Sequence, residues 1–155
     1  MASPASIREH PIHPMLIVFP IALWIFSLVC DILYYAGTQN AFWKNAAFYS
    51  MAGGVIGAVL AAVPGFIDYL SIKDRGTKKI ATTHMILNLV IVALFLFNLG
   101  IRYNAEPNEV IGVALSVVAI ALMAVSGWLG GSLVYVHRVG VVESREEREI
   151  GRRAA

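Results

Sequence analysis

Four stretches of this chain carry no charged side chain: Pro14 to Cys30, Asn45 to Ile67, Met85 to Ile101 and Val110 to Val136. At about 1.5 Å rise per residue, helices of this length cross, or nearly cross, about 30 Å of hydrocarbon. In lipid each backbone N–H and C=O must be satisfied within its own segment, so a helical bundle is the natural outcome. Of the 155 residues, 58% are hydrophobic and only 14% charged, which is more apolar side chain than one small soluble core can bury. The expected fold is all-α, a four-transmembrane-helix bundle forming one domain over residues 1–142. Its helices are expected at about 14–36, 46–69, 82–102 and 109–137, with a charged tail over 143–155.

Arg8 precedes an apolar run ending in Ser27, Leu28, Val29 and Cys30, which invites comparison with a secretory signal. Valine before the cysteine is too large for a signal-peptidase site and Asp31 follows at once, so the first segment is expected to remain as a span. The single cysteine, Cys30, excludes an intramolecular disulfide and has no metal-type spacing around it.

Lysine and arginine set the expected orientation. The side holding the amino terminus, the loop between spans two and three and the carboxy-terminal tail carries Arg8, Lys73, Arg75, Lys78, Lys79, Arg138, Arg145, Arg148, Arg152 and Arg153. The other side carries only Lys44 and Arg102, so the positive-inside rule puts both termini in the cytoplasm of a multi-pass bacterial inner-membrane protein. Trp43, Phe42, Tyr34, Tyr35 and Tyr103 mark the opposite interface. The tail mixes acids and bases at helical spacing, and no nucleic-acid role is expected of it.

Because neighbouring spans run in opposite directions, His10, His13, Asp68, His84 and His137 all fall at one membrane face. Helical phase adds which sides they share. His13, Pro20, Trp24, Ser27 and Asp31 lie on one line of the first span, and His84, Asn88, Ile91, Phe95, Asn98 and Arg102 on one line of the third. A polar stripe of this kind belongs inside the bundle, where lipid does not penalise it. The second and fourth spans present mostly small residues beside Asp68 and His137, with Gly53/Gly57 and Gly127/Gly131 at the spacing of close helix packing. Asp31 and Arg102, both near the sparsely charged side, are candidates to pair within the bundle.

In His10-Pro11-Ile12-His13-Pro14 each proline biases the preceding histidine away from helical geometry, while Pro14 suits a first helical turn. Imidazole is a common ligand of haem iron and of divalent metals, so the gathered histidines form a candidate site. His84 and His137 are the first pair to consider as haem ligands, with His13 and His10 as further cofactor-binding candidates. Asp68 and Asn88 are candidate supporting groups that orient an imidazole. The alternative is a zinc, iron or copper ion held by His10, His13, His84, His137 and Asp68. No catalytic residue can be named, and neither HExxH nor a nucleophile-elbow pattern occurs.

The HPIHP run, Phe19-Pro20-Ile21 with Trp24 and Asp31, and the closing Gly130-Gly131-Ser132-Leu133-Val134-Tyr135-Val136-His137 resemble the bacterial membrane family known as domain of unknown function 2231. Gly65 to Asp68 and His84 to Asn88 are similar to its middle motifs, and the resemblance covers nearly the whole chain. Where that family has glycine after the last histidine this chain has Arg138, a departure that bears on the turn more than on His137. The resemblance implies four transmembrane helices. Relatives joined to Rieske or c-type cytochrome domains imply electron transfer and haem b as cofactor, an argument from association.

Three functions follow as expectations. One is a b-type haem electron-transfer module at the cytoplasmic face, exchanging electrons with quinone or a redox partner, a carrier rather than a hydrolase. The second is a His/Asp metal-binding membrane protein. The third is a structural subunit that packs against a second copy or a larger membrane complex.

Overall fold

The computed structural model describes residues 3–104 and 109–141 of the chain. A short hairpin of β1 (Ser6–Ile7) and β2 (His10–Pro11) leads into α1 (Ile12–Leu16) and α2 (Val18–Leu33). A wider turn over Tyr34–Thr38 then connects to α3 (Ala41–Ser71), which is followed by α4 (Arg75–Asn104) and α5 (Glu109–Tyr135). Four helical segments are long and apolar enough to cross a membrane, Ile12–Gly37, Ala41–Ser71, Arg75–Tyr103 and Val110–Tyr135. Phe97, Leu89, Val63, Val59 and Trp128 stand exposed on the outside, as side chains facing lipid do. The tail over 143–155 lies outside the described residues.

Helices α3 and α4 start a turn or more before the apolar spans do, because polar caps carry them into the interface. The Asn40 side chain accepts from the Phe42 N–H at 2.9 Å at the start of α3, and Asp74 accepts from the Thr77 N–H at 2.8 Å at the start of α4. Between α1 and α2 the helix breaks at Ile17, where Pro20 has no N–H to offer and its ring crowds the preceding turn. At the end of α5, Arg138 adopts φ 53°, and the Val139 N–H returns to the Leu133 carbonyl at 2.9 Å. Val139 packs on the cluster of Leu133, Ile72 and Ala81, which completes a Schellman-type stop with arginine at the position glycine usually fills.

The bundle is two helical hairpins, α1–α2–α3 and α4–α5, that repeat one another. His13 reaches the Ala61 carbonyl across 48 residues and His84 the Ser126 carbonyl across 42. Ser27 reaches the Ala47 carbonyl across 20 residues, and Asn98 the Gly112 carbonyl across 14. Both spans are six shorter in the second hairpin, so the two match in register once the extra turn at Tyr34–Thr38 is set aside. The starts of α2 and α4 lie on the same side, so the repeat is parallel, about an axis that runs along the bundle.

Three pairs of equivalent residues meet across this axis. His13 faces His84 with ring centroids 6.4 Å apart, Trp24 stacks on Phe95 at 4.2 Å, and Asp31 pairs with Arg102 over a separation of 71 residues. The same 71-residue step relates all three pairs. Trp24 and Phe95 are the centre of the core with Met51, Val55, Ile91 and Ala119. A stacked aromatic pair adds about 0.5–1.5 kcal/mol beyond its burial. Small residues let the helices close on these rings: a side chain at Gly54 would collide with the Trp24 indole, and one at Gly57 would lie 3.1 Å from Pro20.

Gly53 also packs inward, against Leu23, as the four-residue spacing suggests. Gly127 and Gly131 do not, since nothing lies within 4 Å of where their side chains would be. On α5 the inward line runs through Gly112, Ser116, Ala119 and Ser126, and Gly127 is turned about 100° away from Ser126.

Candidate paired-histidine site

His13 sits in the first turn of the first span, in α1, which packs against α3. Its Nδ1 donates to the Ala61 carbonyl at 2.8 Å. The ring lies over Gly65, where a Cβ would come 2.6 Å from Nδ1. His84 repeats this arrangement in the second hairpin. Its Nδ1 donates to the Ser126 carbonyl at 2.9 Å, and its ring lies over Gly130, where a Cβ would come 3.1 Å from Cε1. Each histidine is thus held by a carbonyl and a glycine one helical turn apart on the neighbouring helix.

The partner fixes the tautomer. A carbonyl oxygen can only accept, so both rings carry their proton on Nδ1 and, when neutral, their lone pair on Nε2. His13 Nε2 makes no hydrogen bond among the described residues. Asn88 Nδ2 lies 2.8 Å from the Ser126 hydroxyl, 2.8 Å from the His84 carbonyl and 3.1 Å from His84 Nε2. The two shorter contacts use both amide hydrogens, so His84 Nε2 keeps its lone pair. The two rings stand perpendicular, at 89°.

The other residues singled out from sequence are engaged elsewhere. His137 follows α5 and its Nδ1 donates to the Thr77 hydroxyl at 3.2 Å. Thr77 in turn donates to Asp74 at 2.8 Å. Thr77 precedes His84 on α4 by about 10 Å of helix, so His137 and His84 occupy different levels of the bundle. The backbone N–H and hydroxyl of Thr77, and behind them the charge of His137, hold the Asp74 carboxyl below its ordinary range. His10 is exposed on the hairpin and donates through Nδ1 to the Arg8 carbonyl at 2.8 Å. The Asp68 carboxylate turns to the amino-terminal segment, accepting from the Ser3 hydroxyl at 2.6 Å and the Ala5 N–H at 3.3 Å. It therefore anchors the strap that leads to His13, while Asn88 is the group that touches an imidazole.

At the other end of the axis Arg102 makes two bonds of 2.7 Å to Asp31, and its Nε donates to Asn98 at 3.0 Å. Asn98 donates to the Gly112 carbonyl and the Ser116 hydroxyl, so this pair sits in a hydrogen-bonded network that ties α2, α4 and α5 together. The sequence expectation that Asp31 and Arg102 pair is met. Between the two polar ends, the Trp24–Phe95 layer with Met51 and Ile91 is buried and apolar.

The arrangement of matching histidine, glycine and aromatic positions on four spans coincides with the match to a family model. That model, for predicted membrane proteins, covers residues 9–143. The chain belongs to the DUF2231 family. The match takes in both histidines of the pair, both supporting glycines and the Asp31–Arg102 bridge. Neither a curated protein nor a solved structure matches the DUF2231 chain. Its chemistry therefore has to be read from the site itself.

Proposed function

We propose that this DUF2231 protein is a membrane-embedded b-type haem module for electron transfer, in which His13 and His84 would hold the iron. The observation that carries the reading is the facing pair at 6.4 Å, each ring tied through Nδ1 with Nε2 left to coordinate. Imidazole nitrogen is a usual donor to haem iron, and two rings this close, both bound through Nδ1, would be the residues that hold it. A carbonyl bond to the remote nitrogen is also what orients a metal-binding imidazole and raises its basicity.

A haem iron needs only two protein donors, whereas a bare zinc, iron or copper ion usually takes three or four. Among the described residues no group of three His, Cys, Asp or Glu side chains is arranged to hold a metal, which favours haem over the bare ion. Haem would supply reversible one-electron chemistry. The protein's part is to position the rings: Gly65 and Gly130 seat them, Asn88 and Ser126 brace His84, and the Trp24–Phe95 layer closes the bundle beneath.

The split of basic residues supports a bacterial inner-membrane location with this face and both termini cytoplasmic, where quinol or a redox protein would exchange electrons. The test is a visible spectrum of detergent-purified protein, oxidised and dithionite-reduced, with metal analysis on the same sample. A stoichiometric Soret band that sharpens on reduction is expected. Stoichiometric metal without the band would move the assignment to a bare ion, and neither, after expression with added haem, would leave a structural subunit.

A further inference from the structure

We infer that the groove between the amino-terminal strap and α3 is a quinol site, in which the Leu60 carbonyl accepts a hydrogen bond from a ring hydroxyl. The groove has a volume of about 490 Å³ and is bounded by strap residues 4–6, Leu16 of α1, and Leu60, Val63, Pro64 and Ile67 of α3. Leu60, Val63 and Ile67 are exposed, so the groove opens sideways into lipid. It backs on His13 across the same seam, because Ala61 and Gly65, which hold the imidazole, directly follow Leu60 and Pro64. The site takes its purpose from the haem reading, for which it names the electron donor, but its binding can be measured without haem.

Pro64 lies inside α3 and has no N–H, so the Leu60 carbonyl, four residues earlier, lacks its helical donor. Where a proline breaks a rung in lipid, a neighbouring side chain commonly restores it, since a buried polar group without a partner is costly. No side chain among the described residues donates to Leu60. Leu60 precedes Asp68, the strap's anchor, by about 12 Å of helix. Acyl chains reach that depth without a donor, and charged headgroups stay nearer the surface. A quinol combines an apolar ring and a lipid-soluble tail with O–H donors at both ends of the ring. One serves the Leu60 carbonyl and the other Ser6 on the strap, whose hydroxyl makes no hydrogen bond among the described residues.

The internal repeat supplies a comparison. A 65-residue step carries Ala61 to Ser126 and Gly65 to Gly130, and the same step carries Leu60 to Val125 and Pro64 to Leu129. Leu129 keeps its N–H, so nothing removes the donor of the Val125 carbonyl. The 71-residue step carries strap residues 4–6 to 75–77, the first turn of α4, so the second hairpin has helix where the first has a strap. His84 is nonetheless seated on its carbonyl and glycine as His13 is. Seating an imidazole therefore requires neither the proline nor the strap, and the two features that make the groove occur together on the hairpin of His13.

The experiment follows the melting temperature of the full-length protein in detergent, anaerobically with dithionite, against rising concentrations of a short-chain benzoquinol and of its dimethyl ether, which has the ring and oxygens but no donor. The quinol should bind about tenfold more tightly, the effect of one hydrogen bond. Pro64→Ala returns an N–H to Leu60 and should bring the two ligands to parity without lowering the melting temperature of the unliganded protein. Val63→Trp, which copies Trp128 of the second hairpin, should weaken the binding of both. Equal binding of the two ligands by the unaltered protein would overturn the site, as would a quinol preference that survives either substitution. Displacement of the quinol by an equal concentration of phosphatidylethanolamine would also overturn it and assign the donor to a lipid ammonium. A quinol preference in protein without a Soret band would uphold the groove and remove the haem, whereas a Soret band without the preference would do the reverse.

Discussion

The two ends of the bundle axis are built from equivalent positions and have come to opposite solutions. At one end a residue meets its own kind, His13 against His84; at the other the equivalents are Asp31 and Arg102. On an axis of this sort two like charges would face each other in a low-dielectric interior, so an ionised pair has to differ in sign. Neutral imidazole escapes that constraint, and two identical rings can stay. The charged end is tied into Asn98, Ser116 and Gly112, whereas at the histidine end His13 Nε2 makes no hydrogen bond among the described residues and His84 Nε2 has only the Asn88 amide, at 3.1 Å, beside it. One end fastens the hairpins together, and the other is where the cofactor is proposed to bind.

The largest effect should come from breaking the fastening. Arg102→Ala leaves the Asp31 carboxylate unpaired and buried, and a loss of about 3–5 kcal/mol is expected, read as a lowered melting temperature in detergent. Exchanging the two, Asp31→Arg with Arg102→Asp, should recover most of it if the positions are equivalent. Failure of the exchange while each single variant is destabilised would deny the repeat its symmetry at this end.

At the histidine end the corresponding change is steric. Gly65→Ala brings a methyl group to 2.6 Å from His13 Nδ1, and Gly130→Ala brings one to 3.1 Å from His84. Each should cost on the order of 1–3 kcal/mol, the first more than the second, and should weaken the cofactor retained per protein. Equal tolerance of both would mean that the rings are not seated by these glycines.

A smaller gain is expected off the axis. Arg138 holds a left-handed conformation that glycine adopts without strain, so Arg138→Gly should stabilise the protein by about 0.5–1 kcal/mol in the same melting assay. Smallest is a pH effect at Asp74. Its folded carboxyl ionises below the ordinary value of 3.8, so the cap contributes fully above that value. The contribution is lost as pH falls through the lowered folded value. The melting difference between the unaltered protein and Asp74→Ala should therefore stay level near neutrality and shrink in acid; a difference that grows in acid would refute the cap.

Much of this was legible in the sequence. Uncharged runs gave the spans, and phase placed Trp24, Ser27, Phe95 and Asn98 on the inward lines where they are found buried. Opposite charges at matching depth gave Asp31 with Arg102. The partner of His84 was harder, because span direction brings His13 and His137 to the same face and does not say which helices lie diagonally across the axis. The 71-residue step shared by His13/His84, Trp24/Phe95 and Asp31/Arg102 would have chosen between them, and Ala22-Leu23-Trp24-Ile25-Phe26 against Ala93-Leu94-Phe95-Leu96-Phe97 carries that step in the sequence itself. Asp68 misled for a different reason: its partners Ser3 and Ala5 belong to a strap whose path depends on a hairpin with Arg8 and Glu9 at positive φ. Neither is a residue that announces such a turn.

The most direct test of the His13–His84 centre is the haem-to-protein ratio of His13→Ala, His84→Ala and His137→Ala, each purified in detergent beside the unaltered protein. Loss of the reduced-minus-oxidised Soret signal in the first two, with the third keeping it, is the predicted result. Retention in His13→Ala together with loss in His137→Ala would contradict it and assign the ligand to the histidine that the structure ties to Thr77.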